Sequence, residues 1–88
     1  MKQYKYHEDM LTKNFLASYA DYIIIDNNLF LINTLTDRQI LIKGEITLLK
    51  QLVQKLEAGV SDEELMDLLY KLKLTYLLKI LLREGLIE

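Results

Sequence analysis

Tyr22-Ile23-Ile24-Ile25-Asp26-Asn27-Asn28-Leu29-Phe30-Leu31-Ile32 is the stretch that decides the fold. Two short runs of β-branched, aromatic and aliphatic residues flank Asp26-Asn27-Asn28, and Asp and Asn tolerate the positive φ of tight hairpin turns. The stretch therefore predicts a β-hairpin. Downstream, a turn over Thr34 to Asp37 leads into Arg38-Gln39-Ile40-Leu41-Ile42-Lys43, a third short strand stopped by Gly44. Together these segments predict a three-stranded antiparallel meander.

After Gly44 the apolar period lengthens to that of a helix. Ile46, Leu48, Leu49, Leu52, Val53 and Leu56 recur on one face, with Lys50, Gln51, Gln54 and Lys55 on the other, and Gly59 terminates the run. Ser61-Asp62-Glu63-Glu64 has the spacing of a capping box, with Val60 and Leu65 placed to form a hydrophobic staple. A second helix should start there, with Leu65, Leu68, Leu69 and Leu72 as its stripe. No Gly or Pro lies between Leu65 and Glu84, yet a continuous helix would bury Lys79. Leu74, Leu77, Leu78 and Leu81 instead make a stripe in a shifted phase, so a break is expected near Lys71 to Thr75, with Thr75 available as an N-cap. Gly85 should end the third helix and Leu86-Ile87 return to the core as an extended tail.

Residues 1–20 receive no element. Tyr4 and Tyr6 alternate weakly, and Met10, Leu11, Phe15 and Leu16 fit neither period. The expected fold is α+β and winged-helix-like, a three-stranded antiparallel sheet followed by three helices, in a single domain over residues 1–88. At this length there is no room for a second core.

Composition narrows the function. A hydrophobic fraction of 51% with 27% charged residues permits a core and a solvated surface, while a net charge of −2 lacks the basic footprint of a generic nucleic-acid binder. Without cysteine there can be no disulfide, thiolate zinc site or iron–sulfur cluster. The polar start from Met1 to Asp9 lacks a signal-peptide core, and no apolar run approaches the roughly 18 residues of a membrane span, so a cytoplasmic protein with no membrane partner is expected.

Catalytic chemistry finds few candidates. His7 is the only histidine and, beside Glu8 and Asp9 in a terminal segment, reads as a solvated tail and not as a metal site. Ser61 is accounted for as a cap, leaving Ser18 as the one other serine and no credible triad. Asp62, Glu63 and Glu64 suit the first turn of a helix, where the dipole favours negative charge. The three glycines end elements and form no phosphate loop. No enzyme activity, metal or cofactor is expected.

The order of three strands, a helix ending Leu56-Glu57-Ala58-Gly59, a capped helix from Ser61-Asp62-Glu63-Glu64-Leu65, and a short helix ending Leu81-Leu82-Arg83-Glu84-Gly85-Leu86-Ile87 resembles a known family. It is similar to the PqqD-like recognition elements for ribosomally synthesised, post-translationally modified peptides. Asp37 to Gly44, with Leu48-Leu49 and Leu52, looks closest to the N-terminal domains of thiazole and oxazole cyclodehydratase partner proteins. The likeness covers about residues 22 to 87. It implies a non-catalytic, peptide-binding adaptor that captures the leader region of a precursor peptide and delivers it to a peptide-modifying enzyme. It further implies that the leader adds as a fourth strand beside the third and lies against the third helix. Carried over, the groove lies between Arg38, Gln39, Ile40, Leu41, Ile42 and Lys43 and the helical face of Tyr76, Lys79, Ile80 and Arg83.

The residues themselves leave alternatives open. Tyr76, Ile80 and Leu82 make the third helix apolar around much of its circumference, which fits a ligand groove, a central helix or a dimer contact. Arg38 and Lys43 at a sheet edge also guard against aggregation. A winged-helix DNA-binding regulator is the competing function. Against it, the strands precede the helices, and Lys79 and Arg83 beside Glu84 make a thin basic face for phosphates.

Overall fold

The computed structural model describes residues 13–88. The alternation at Tyr4 and Tyr6, the apolar Met10 and Leu11, and His7 with its acidic neighbours lie outside them. The chain is α+β. Strands β1 (Ala20–Ile25), β2 (Asn28–Asn33) and β3 (Arg38–Lys43) form an antiparallel sheet in the order β1-β2-β3. Helices α1 (Ile46–Ala58), α2 (Asp62–Lys71) and α3 (Leu77–Arg83) follow, completing the regular elements of the described residues.

In the first hairpin Ile25 lies opposite Asn28, so Asp26 and Asn27 make the two-residue turn, with Asp26 at φ 56°. The strand begins at Ala20 and not at Tyr22, because Ala20 pairs with Asn33. In the second turn Asp37 takes φ 62°, and the Asn33 side-chain oxygen accepts from the Leu35 and Thr36 N–H groups at 2.9 and 3.3 Å. One sheet face carries Tyr22, Ile24, Leu29, Leu31, Ile40 and Ile42, and the helices cover it. Leu49, Leu52, Leu56, Leu65, Leu69 and Leu81 fill the space between with no exposed surface, each worth about 1.5–3 kcal/mol against an exposed side chain.

The helix boundaries reflect backbone chemistry. Gly59 closes α1 at φ 95°, and a Cβ there would stand 2.5 Å from the Phe15 ring. Ser61 caps α2 by accepting the Glu64 N–H at 3.2 Å. The box is half made, since the Glu64 carboxylate turns to Lys55, 3.7 Å away. At the other end of α2, the Lys73 N–H meets the Tyr70 carbonyl at 2.9 Å and the Leu74 N–H meets the Leu69 carbonyl at 2.8 Å. That is a Schellman closure with Lys73, at φ 63°, in the left-handed position usually given to glycine. The break between the last two helices falls where the phase shift places it.

Thr75 does not cap α3. Leu74 offers its carbonyl to the Leu77 N–H at 2.9 Å, so a backbone turn feeds straight into the helix and Tyr76 enters it in helical geometry without a side-chain cap. At its far end Gly85, at φ 71°, makes the second Schellman closure, with the Leu86 N–H on the Leu81 carbonyl at 2.9 Å. Leu86 and Ile87 are buried, as the tail reading requires. They are clamped by residues 14–17: the Ala17 N–H bonds the Leu86 carbonyl at 3.0 Å, and Phe15 and Glu88 exchange both backbone bonds at 2.8 Å. Among the described residues no helix is long and apolar enough to cross a membrane.

Candidate functional site

The sheet has two edges, β1 and β3. On the β2–β3 ladder the Gly44 N–H bonds the Asn27 carbonyl at 3.1 Å, which fixes the alternation of the whole pair. Residues 38, 40 and 42 turn their backbone groups toward β2, and Gln39, Leu41 and Lys43 turn theirs outward. No backbone group of another described segment meets those three. By the same alternation Ala20, Tyr22 and Ile24 face outward from β1, and α1 packs on the adjoining face of β1 and β2. No Cα of α3 comes that close to β3.

The segment from Leu72 to Glu84, which contains α3, nonetheless runs beside β3 and meets it near both ends of the strand. Gly44 lies against Leu72, whose methyl carbon would be 2.6 Å from a Cβ at position 44. At the other end the Arg38 Nε donates to the Glu84 carboxylate at 2.9 Å, and the Asn33 amide donates to the Glu84 carbonyl at 3.0 Å. β3 and the segment from Leu72 to Glu84 therefore run antiparallel, joined near the two ends of the strand, and a strand added to the outward edge of β3 would lie about 4.8 Å from it.

The residues expected to line this groove separate into groups. Ile40 is half-buried on the helix side of β3, and Ile42 is buried below it. Tyr76, Ile80, Arg83 and Glu84 share one flank of α3 by their spacing of four, seven and eight residues, and the reach of Glu84 to Arg38 turns that flank to β3. Ile80 is half-buried; Tyr76, Lys79 and Arg83 are exposed. Gln39, Leu41 and Lys43 belong to the other face of the sheet: Leu41 stands opposite Phe30 and shares no wall with Ile80. These three contribute their backbone edge to the groove.

Two groups that shape the site were missed by sequence reasoning. Glu84 sets the groove's closed end and lies 3.5 Å from Arg83 as well as on Arg38, so two of the four basic residues around the groove share one carboxylate. Asn33, buried at the end of β2, ties that strand to the end of α3. A buried Asn closing an apolar strand was the available signal, because a polar side chain there demands partners. Among the described residues no group of three His, Cys, Asp or Glu could hold a metal ion. No protein-family model matches the chain, and no curated protein or solved structure is significantly similar to it.

Proposed function

We propose that the chain is a non-catalytic, cytoplasmic adaptor that binds the leader region of a ribosomally synthesised precursor and hands it to a peptide-modifying enzyme. The observation that carries this reading is the outward-facing backbone of Gln39, Leu41 and Lys43, on a strand beside which the segment from Leu72 to Glu84 runs antiparallel. Strand addition uses such an edge: main-chain hydrogen bonds set the register, and side chains at alternate positions select the sequence. Every second peptide residue would lie between Ile40 and Ile80, where an apolar side chain displaces water from both. Two or three buried anchors at about 1.5–3 kcal/mol each, less the cost of ordering a flexible leader, give a Kd in the micromolar range. Affinity of that order suffices for an adaptor, since tethering raises the local substrate concentration to roughly millimolar. Arg38 and Arg83 are engaged with Glu84, which does not favour a phosphate-gripping role.

The test is selection from a displayed library of random peptides about 20 residues long, a span that covers the edge several times over. Enriched sequences should bind the purified chain at micromolar Kd and lose binding to Leu41→Pro and to Ile80→Asp. Absence of enrichment, or binding that survives both substitutions, contradicts the reading.

A further inference from the structure

The face of the sheet turned away from the helices has five large apolar side chains among its nine, and no described segment covers it. Its nine positions form a grid: Asp21, Ile23 and Ile25 on β1, Ile32, Phe30 and Asn28 opposite them on β2, and Gln39, Leu41 and Lys43 on β3. Ile23, Ile25 and Leu41 are 55%, 50% and 47% exposed, and a depression of 410 Å³ opens among Ile23, Ile25, Phe30 and Ile32. An antiparallel sheet with one solvated face ordinarily alternates apolar and polar residues. Here the runs Tyr22 to Ile25 and Leu29 to Ile32 are apolar without interruption, the pattern of strands covered on both sides.

The geometry points to a second copy of this chain as the cover, packed sheet on sheet about a two-fold axis. Charge placement carries the choice. Asp21 and Lys43 occupy diagonally opposite corners of the grid. A two-fold axis lying along the other diagonal, from Ile25 to Gln39, sets Asp21 of each copy over Lys43 of its mate. The same operation places Leu41 over Ile32 and Ile23 over Asn28 of the mate, brings the two Phe30 rings together at the centre, and pairs the two Gln39 amides, which are self-complementary as donor and acceptor. The strands of the two sheets then cross near 90°, one of the two packing classes open to sheets. The aligned class would set Asp21 or Lys43 against Ile25 of the mate and leave that charge without its partner.

The contact is small, three strands by six residues or about 14 by 20 Å, well below the roughly 800 Å² per partner of a standard interface. A weak, concentration-dependent dimer is expected, with Kd on the order of 10–100 µM. The β3 edge stays open in it, so the dimer neither requires nor prevents peptide capture.

Sedimentation velocity on the full chain tests this. The wild type should pass from monomer to dimer over that range, and Asp21→Lys should weaken the dimer about tenfold, with Asp21→Lys/Lys43→Asp restoring it. Ile23→Asp should abolish it; if that variant does not fold, the exposed charge pair still decides. A chain that remains monomeric up to about 1 mM overturns the proposal and leaves the face to a different partner. A dimer indifferent to Asp21→Lys, or a double reversal that restores nothing, overturns it equally.

Discussion

Arg38 on β3 and Glu84 at the end of α3 are joined by a 2.9 Å ion pair that ties the start of the strand to the end of the helix. The Arg38 side chain is largely exposed while that of Glu84 is largely buried, so the carboxylate is held in place and the guanidinium can leave it. An arriving acidic peptide would compete for Arg38.

Glu84→Gln should therefore strengthen the capture of acidic peptides several-fold at low salt, and the gain should vanish as salt rises from about 50 to about 500 mM. Exposed pairs contribute about 0.2–1 kcal/mol, so urea unfolding of the variant should show a loss of that size. Unchanged affinity at both salt concentrations would show that Glu84 does not restrain Arg38.

Lys73→Gly should stabilise the domain. Lys73 holds φ 63° with its Schellman bonds already made, and relieving a left-handed non-glycine residue is worth about 1 kcal/mol, offset in part by the greater freedom glycine has when unfolded. A net gain of up to about 1 kcal/mol in urea unfolding is expected, against a clear loss for Gly85→Ala at the matching position of α3.

Gly59→Ala should cost well over about 1 kcal/mol, because it adds strain at φ 95° to a clash with the Phe15 ring. The clash is separable: in a Phe15→Ala background the same substitution should cost less. A double-mutant cycle with no coupling between the two positions would remove Phe15 from the explanation.

Most of this architecture was legible because it rests on local rules. The hairpin at Asp26-Asn27, the cap at Ser61 and the stops at Gly59 and Gly85 each depend on a residue whose chemistry suits few other conformations. The break after α2 was located by the phase of Leu74, Leu77 and Leu81, but its mechanism was hidden, since nothing in the sequence announces that Lys73 will take a glycine's conformation. Thr75 failed as a cap because the Leu74 carbonyl had already taken the role. Residues 14–17 were unreadable for a different reason: they pair with Val60, Leu56, Leu86 and Glu88, far away in the chain, and carry no period of their own. In the groove, the alternation of β3 was implicit in its register. Leu41 was grouped with Ile80 although the pleat sends it to the opposite face.

Proline substitutions separate the edge from the ladder. Leu41→Pro removes an N–H that faces outward, so the domain should keep its stability within about 1 kcal/mol while peptide capture is lost. Ile42→Pro removes an N–H directed at β2 and a buried side chain, and should cost about 3 kcal/mol or more. Equal destabilisation by the two, measured in urea, would mean the register on β3 is wrong.

The central claim is that a peptide pairs with the outer edge of β3, and residue-resolved amide hydrogen exchange measures it most directly. With a peptide enriched from the random library, the amides of Gln39, Leu41 and Lys43 should exchange quickly in the free chain and slow by about tenfold or more on saturation. Those of Ile40 and Ile42, already bonded to β2, should change far less. Saturating binding that leaves Gln39, Leu41 and Lys43 unprotected, or that protects Ala20, Tyr22 and Ile24 on the β1 edge instead, would contradict the account.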